Sequence, residues 1–237
     1  MKLKNLCLVM LLDELHDKKR NMTNQEVLDV LERAPIVPLY YHNDEQIACA
    51  LMDACYTGGA RAIEFTNRGE HALRVFTAMC KYRTAHYPDM VLGIGSIATT
   101  DQILDFINVG ADFLVSPFIS KTLADYARSK NIFWTGGCGT ITEMQTAYSW
   151  GVPLLKLFPG NIYGPAMIKA AKAPCPWLKI MPTGGVKPEK ENLDAWFGAG
   201  ATCVGMGSQL FVKDANGDFD YKEITEKVKT SLSIALA

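Results

Sequence analysis

The sequence predicts an α/β fold, a (β/α)8 TIM barrel with an N-terminal helix, and three observations carry that expectation. Short apolar runs rich in β-branched residues begin near residues 36, 62, 91, 112, 131, 152, 178 and 202, each followed by a helical stretch. Their spacing, roughly 20 to 30 residues, suits a strand, a loop, a helix and a second loop per repeat. Eight such units favour a closed parallel barrel, because parallel strands need crossovers and closure removes both exposed edges. The length of 237 residues fits one barrel, since such domains run to roughly 250 residues. The alternative, an open doubly wound sheet, lacks its fingerprint. No Gly-x-Gly-x-x-Gly follows the first strand, and no Walker A sequence occurs.

Residues 1–21 read as an extension of unknown role ahead of a single barrel domain over 22–237. Their apolar run, Leu6 to Leu12, is far shorter than the ~20 residues of a membrane span. Asp13-Glu14 follows it at once without a small-residue cleavage site, which argues against a secretory signal. Thr23-Asn24-Gln25-Glu26 then reads as a capping box, in which hydroxyl and carboxylate satisfy exposed N–H groups at a helix start. The strands are expected at Pro35–Tyr40, Ala62–Thr66, Val91–Gly95, Asp112–Ser116, Ile132–Thr135, Pro153–Phe158, Leu178–Pro182 and Thr202–Met206.

Composition excludes several classes of partner. Lys and Arg total 24 against 25 Asp and Glu, and without a basic run there is no electrostatic footprint for nucleic acid or an anionic membrane. Any ligand charge must therefore be met locally. The seven cysteines form no Cys-x-x-Cys pair, as expected of reduced thiols in a cytoplasmic protein. The four histidines show no metal-ligand spacing, and neither a metal nor an organic cofactor is expected.

Two charges interrupt the strand pattern. Val152 to Phe158 reads as a buried strand with Lys156 in its middle. A buried ammonium without a partner is costly, so an amine in such a place tends to be neutral and nucleophilic toward ketones and aldehydes. In Ala62-Ile63-Glu64-Phe65-Thr66, alternation puts Ile63 and Phe65 toward the helices and Glu64 inward. Strands two and six have the same parity, so Glu64 and Lys156 can share one layer of the barrel interior. The plainer alternatives are a lysine that snorkels to the rim and a structural ion pair. Arg68, just past the second strand, can hold a carboxylate over the mouth. Thr183-Gly184-Gly185 and Gly205-Met206-Gly207-Ser208 follow the last two strands, the usual phosphate position in such barrels. Gly136-Gly137-Cys138-Gly139 reads either as mouth lining or as a plain turn from strand to helix.

Six of these segments, in this order, carry a resemblance: Ile63-Glu64-Phe65-Thr66-Asn67-Arg68, Gly93-Ile94-Gly95-Ser96, Val115-Ser116-Pro117, Leu155-Lys156-Leu157-Phe158-Pro159, Pro182-Thr183-Gly184-Gly185-Val186 and Gly205-Met206-Gly207-Ser208. From about Ala34 to Leu210 the chain resembles the class I pyruvate aldolases that cleave 2-keto-3-deoxy-6-phosphogluconate (KDPG), a family shared with 4-hydroxy-2-oxoglutarate (KHG) aldolase. The resemblance implies Lys156 as Schiff-base lysine and Glu64 as acid and base. Arg68, Ser96 and Pro117 would lie at the substrate carboxylate, and Gly184, Gly185 and Ser208 at its phosphate. Phe118 and Thr183 would line the pocket. It also implies a small 2-keto acid phosphate as the partner, and a homotrimer. Three departures stand out. Ser96 replaces a threonine, Phe118 stands where glycine commonly follows Ser-Pro, and Phe158-Pro159-Gly160-Asn161 replaces Phe-Pro-Ala-Glu. Such changes bear on substrate choice: the 6-phosphogalactonate epimer and KHG are alternatives to KDPG. A phosphate-binding barrel isomerase or epimerase and a non-catalytic sugar-phosphate binder are the competing classes.

Overall fold

In the computed structural model residues 22–237 are described; the extension over 1–21 lies outside them. Helix α1 (Asn24–Arg33) begins at the expected capping box. The Thr23 hydroxyl accepts the Glu26 N–H and the Glu26 carboxylate accepts the Thr23 N–H. Eight parallel strands follow: β1 (Ile36–Tyr40), β2 (Ala62–Thr66), β3 (Val91–Gly95), β4 (Phe113–Ser116), β5 (Phe133–Cys138), β6 (Leu155–Leu157), β7 (Ile180–Pro182) and β8 (Val204–Met206). Between them run α2 (Glu45–Thr57), α3 (Ala72–His86), α4 (Thr100–Asn108), α5 (Lys121–Ser129), α6 (Ile141–Ser149), α7 (Gly160–Lys172) and α8 (Lys190–Gly198), and α9 (Tyr221–Ala235) closes the chain. The strands pair in sequence order, with β8 on β1. A single bridge, Thr183 to Gly205, and the Thr202 N–H donating to Ile180 O at 2.8 Å close β7 onto β8.

The pattern of polar and apolar residues explains the layers. Ile63, Phe65, Leu92, Ile94, Leu155 and Leu157 pack against the helices. A second cluster fills the amino-end half of the barrel: Val37, Ala62, Val91, Phe113, Val115, Phe133, Leu154, Met181 and Cys203. Helix α1 plugs that end, adding Val27, Leu28, Val30 and Leu31 to the same cluster. The interior at the amino end is thus lined mainly by apolar side chains, whereas the charged pair Glu64 and Lys156 lies further toward the carboxyl end.

Four strand assignments need correction. Strands β6, β7 and β8 are three residues each, shorter than expected, and β5 is longer, running through Gly136, Gly137 and Cys138. Gly-Gly usually marks a turn, but here both glycines stay in the ladder. The carbonyls of Pro117 and Phe118 crowd the space where their side chains would stand. The turn, one of the two readings of this segment, begins only at Gly139, whose N–H is held by the Glu143 carboxylate at 2.8 Å. Hydrogen bonds from Gly139 and Thr140 hold that carboxyl below its ordinary range, the Gly139 bond being the strongest cause.

Candidate active site

Strand tilt decides which side chains meet at one height. Advancing two residues for every two strands, the register links Glu64 on β2 to Val115 on β4, Lys156 on β6 and Gly205 on β8, and then returns to Glu64. Such a ring from alternate strands is the layer expected of an eight-stranded barrel. The ring above it holds Leu39, Gly95, Gly137 and Thr183, and the ring below holds Val37, Gly93, Thr135 and Met181. Glu64 and Lys156 therefore face each other from opposite walls of one layer. Both are nearly inaccessible, at 1% and 6% exposure, and Lys156 Nζ lies 3.5 Å from Glu64 Oε1.

Gly95 makes this approach possible, because a side chain there would collide with the Glu64 carboxyl group. On its other flank the amine stands 5.3 Å from the centre of the Phe158 ring. A cation is tolerated at that distance by the ring face.

Whether the pair is merely structural can be judged against the other deeply buried ion pair among the described residues. Arg83 and Asp112 meet at 2.7 Å, with Arg83 also donating to Gly110 O and Asp112 accepting the Leu92 N–H at 2.8 Å. That pair is short and braced by backbone, although Arg83 Nε is itself unpartnered among the described residues, and it sits at the amino ends of β3 and β4, where it ties α3 to the sheet. Lys156 and Glu64 are longer apart, and Glu64 Oε2 has no hydrogen-bond partner among the described residues. Thr183 Oγ1 in the ring above and Thr135 Oγ1 in the ring below are likewise buried and unpartnered. Buried polar atoms are normally paired, so three orphans in successive rings around one amine mark a place prepared for a ligand.

The remaining expected residues stand at the carboxyl ends of the strands. Arg68 is exposed past β2, and its side chain has no ion-pair or hydrogen-bond partner among the described residues. Ser96, past β3, is held at φ 64°, a left-handed conformation that a non-glycine residue adopts at a cost and that tends to cluster at functional sites. Pro117 and Phe118 follow β4, with Phe118 45% exposed. Across the mouth, Gly184 and Gly185 follow β7 with φ +94° and +74°, conformations that favour glycine. The Thr183 to Gly205 bridge sets their loop beside Gly207 and Ser208. One cationic side chain thus stands past β2 and a glycine-rich loop pair past β7 and β8, with the buried amine of β6 on the same barrel interior. Sequence reading did not single out Thr135 as a site residue, although alternation along β5 turns it inward. Phe158, quoted only within a motif, and Asn161, seen only as a departure, also border the site.

An amine and a carboxylate buried together beneath such a mouth suit addition to a carbonyl, and the fold and pair place the protein among barrel lyases of the aldolase kind. The family model for KDPG and KHG aldolase matches residues 27–227, and the chain belongs to that family. The 2-dehydro-3-deoxy-phosphogluconate aldolase of Pseudoalteromonas atlantica is 31% identical over 206 residues, covering 86% of this chain and 93% of that protein. The 2-dehydro-3-deoxy-6-phosphogalactonate aldolase of Escherichia coli is 34% identical over 122 residues, 51% of this chain and 58% of that one. Among solved structures, the KDPG aldolase of Legionella pneumophila, with pyruvate captured as a covalent carbinolamine intermediate, superposes with a TM-score of 0.75 at 26% identity. That match covers 85% of this chain and 96% of the other. Among the described residues no helix is long and apolar enough to cross a membrane.

Proposed function

We propose that the protein cleaves KDPG to pyruvate and glyceraldehyde 3-phosphate through a Schiff base on Lys156. The observation that carries this reading is the Lys156 amine 3.5 Å from the Glu64 carboxylate in one buried layer. The free amine attacks the C2 ketone, and loss of water leaves an iminium. Glu64 takes the proton of the C4 hydroxyl, directly or through one water. The C3–C4 bond breaks, its electron pair flows into the iminium to give an enamine, and the aldehyde leaves. Proton return to C3, again by way of Glu64, and hydrolysis of the imine release pyruvate and restore the amine. Arg68, Ser96 and Pro117 hold the keto-acid carboxylate, Gly184, Gly185 and Ser208 the phosphate, and Phe118 and Thr183 line the pocket between.

The same reading takes residues 22–237 as one catalytic domain that works in the cytoplasm as a homotrimer. The family resemblance supports the trimer, and six free thiols among the described residues support the compartment. The test is release of pyruvate from KDPG, 2-keto-3-deoxy-6-phosphogalactonate and KHG assayed side by side. Fastest cleavage of KDPG is expected. Fastest cleavage of another substrate reassigns the substrate, and failure of all three removes the aldolase reading.

A further inference from the structure

We propose that Asn161 determines specificity for the far end of the substrate, its carboxamide donating to the terminal anionic group. The inference rests on the phosphate position proposed above and names a residue that position did not include. The first turn of α7 is fastened to the segment after β7, the Gly160 N–H donating to Thr183 O at 2.7 Å. This fastening presses Asn161 against both glycines of the anion loop. A Cβ on Gly185 would lie 2.8 Å from Asn161 Cβ, and one on Gly184 would lie 3.2 Å from Asn161 Oδ1. The carboxamide therefore borders the Gly184 peptide itself.

Two further observations make it a ligand contact rather than a brace. Asn192 braces the same loop from its other side, and its carboxamide is fully committed: Oδ1 accepts the Lys187 N–H at 2.8 Å and Nδ2 donates to Gly185 O at 3.3 Å. The Asn161 side chain is exposed and makes no hydrogen bond with any described residue. The segments Thr183–Val186 and Gly205–Ser208 contain no charged side chain, the exposed Lys187 coming next after the first, so one more N–H donor on an anion resting there adds to neutral backbone dipoles. The glutamate usual at this position in the resembled family is one methylene longer and carries its charge further from the backbone.

The experiment compares kcat/KM for KDPG with that for unphosphorylated 2-keto-3-deoxygluconate in wild type, Asn161→Ala and Asn161→Asp. Loss of the donor in Asn161→Ala is expected to lower the ratio about tenfold. Asn161→Asp should lower it further, because it sets a carboxylate where the donor stood. A ratio unchanged in both variants, or a wild-type ratio near one, overturns the inference. Wild-type exchange of the pyruvate methyl protons with deuterated solvent separates the two levels. Exchange with an unmoved ratio removes Asn161 alone, whereas no exchange removes the Schiff-base reading beneath it.

Discussion

Gly95→Ala isolates the placement of the Glu64 carboxylate, proposed above as the proton carrier, from its chemistry. A methyl at Gly95 would lie 2.8 Å from Glu64 Cδ and 3.0 Å from Cγ, and closer still to Oε1. Carbon contacts are comfortable from about 3.5 Å. The backbone of β3 cannot yield, because Gly95 is paired with Thr66 in the ladder with β2. The carboxyl group must therefore retreat by roughly 1 Å, a displacement that costs on the order of 10²-fold in rate when it falls on a reacting group. Overpacking adds a stability cost of about 1–3 kcal/mol. Pyruvate release from KDPG measures the first, and a thermal melt the second. Gly198→Ala, where nothing lies within 4 Å of the added methyl, is the control and should keep the wild-type rate. A folded Gly95→Ala enzyme with wild-type kcat refutes the reasoning, since a carboxylate driven out of place would then be dispensable.

Other outcomes follow from the same geometry. Glu64→Gln keeps the shape of the side chain and loses its basicity, so kcat should fall about 10²- to 10⁴-fold, whereas a wild-type rate removes Glu64 from proton transfer. Ser208→Asp places a negative charge at the proposed phosphate position, and KM for KDPG should rise with kcat less affected; an unchanged KM puts the phosphate elsewhere. Thr135→Val replaces an unpartnered buried hydroxyl with a methyl and should hold or raise the melting temperature, worth up to about 1–3 kcal/mol. A clear fall would reveal a bonding partner for that hydroxyl in the free protein.

Most of the barrel was legible because inward and outward positions obey the alternation of strands. Ile63 and Phe65 had to face helices, which left Glu64 no direction but inward, and Leu155 and Leu157 did the same for Lys156. Strand ends were not legible, because ladder length depends on what the neighbouring strand offers. Gly136 and Gly137 read equally as mouth lining or as a turn until the Pro117 and Phe118 carbonyls are set beside them. The motifs named Gly184, Gly185 and Ser208 as the expected phosphate residues, whereas Asn161 comes beside the two glycines only through packing between two loops more than twenty residues apart in the chain. Thr135 carried no signal of its own, since threonine is ordinary in a strand and only the missing partner of its hydroxyl sets it apart.

The central claim is that one amine, Lys156, forms the covalent intermediate. Borohydride reduction in the presence of pyruvate, followed by peptide mapping, tests it directly. A pyruvate-derived adduct is expected on the peptide containing Lys156, with adduct and cleavage both lost in Lys156→Ala. An adduct on another lysine, or none under conditions where pyruvate binding is measured calorimetrically, contradicts it.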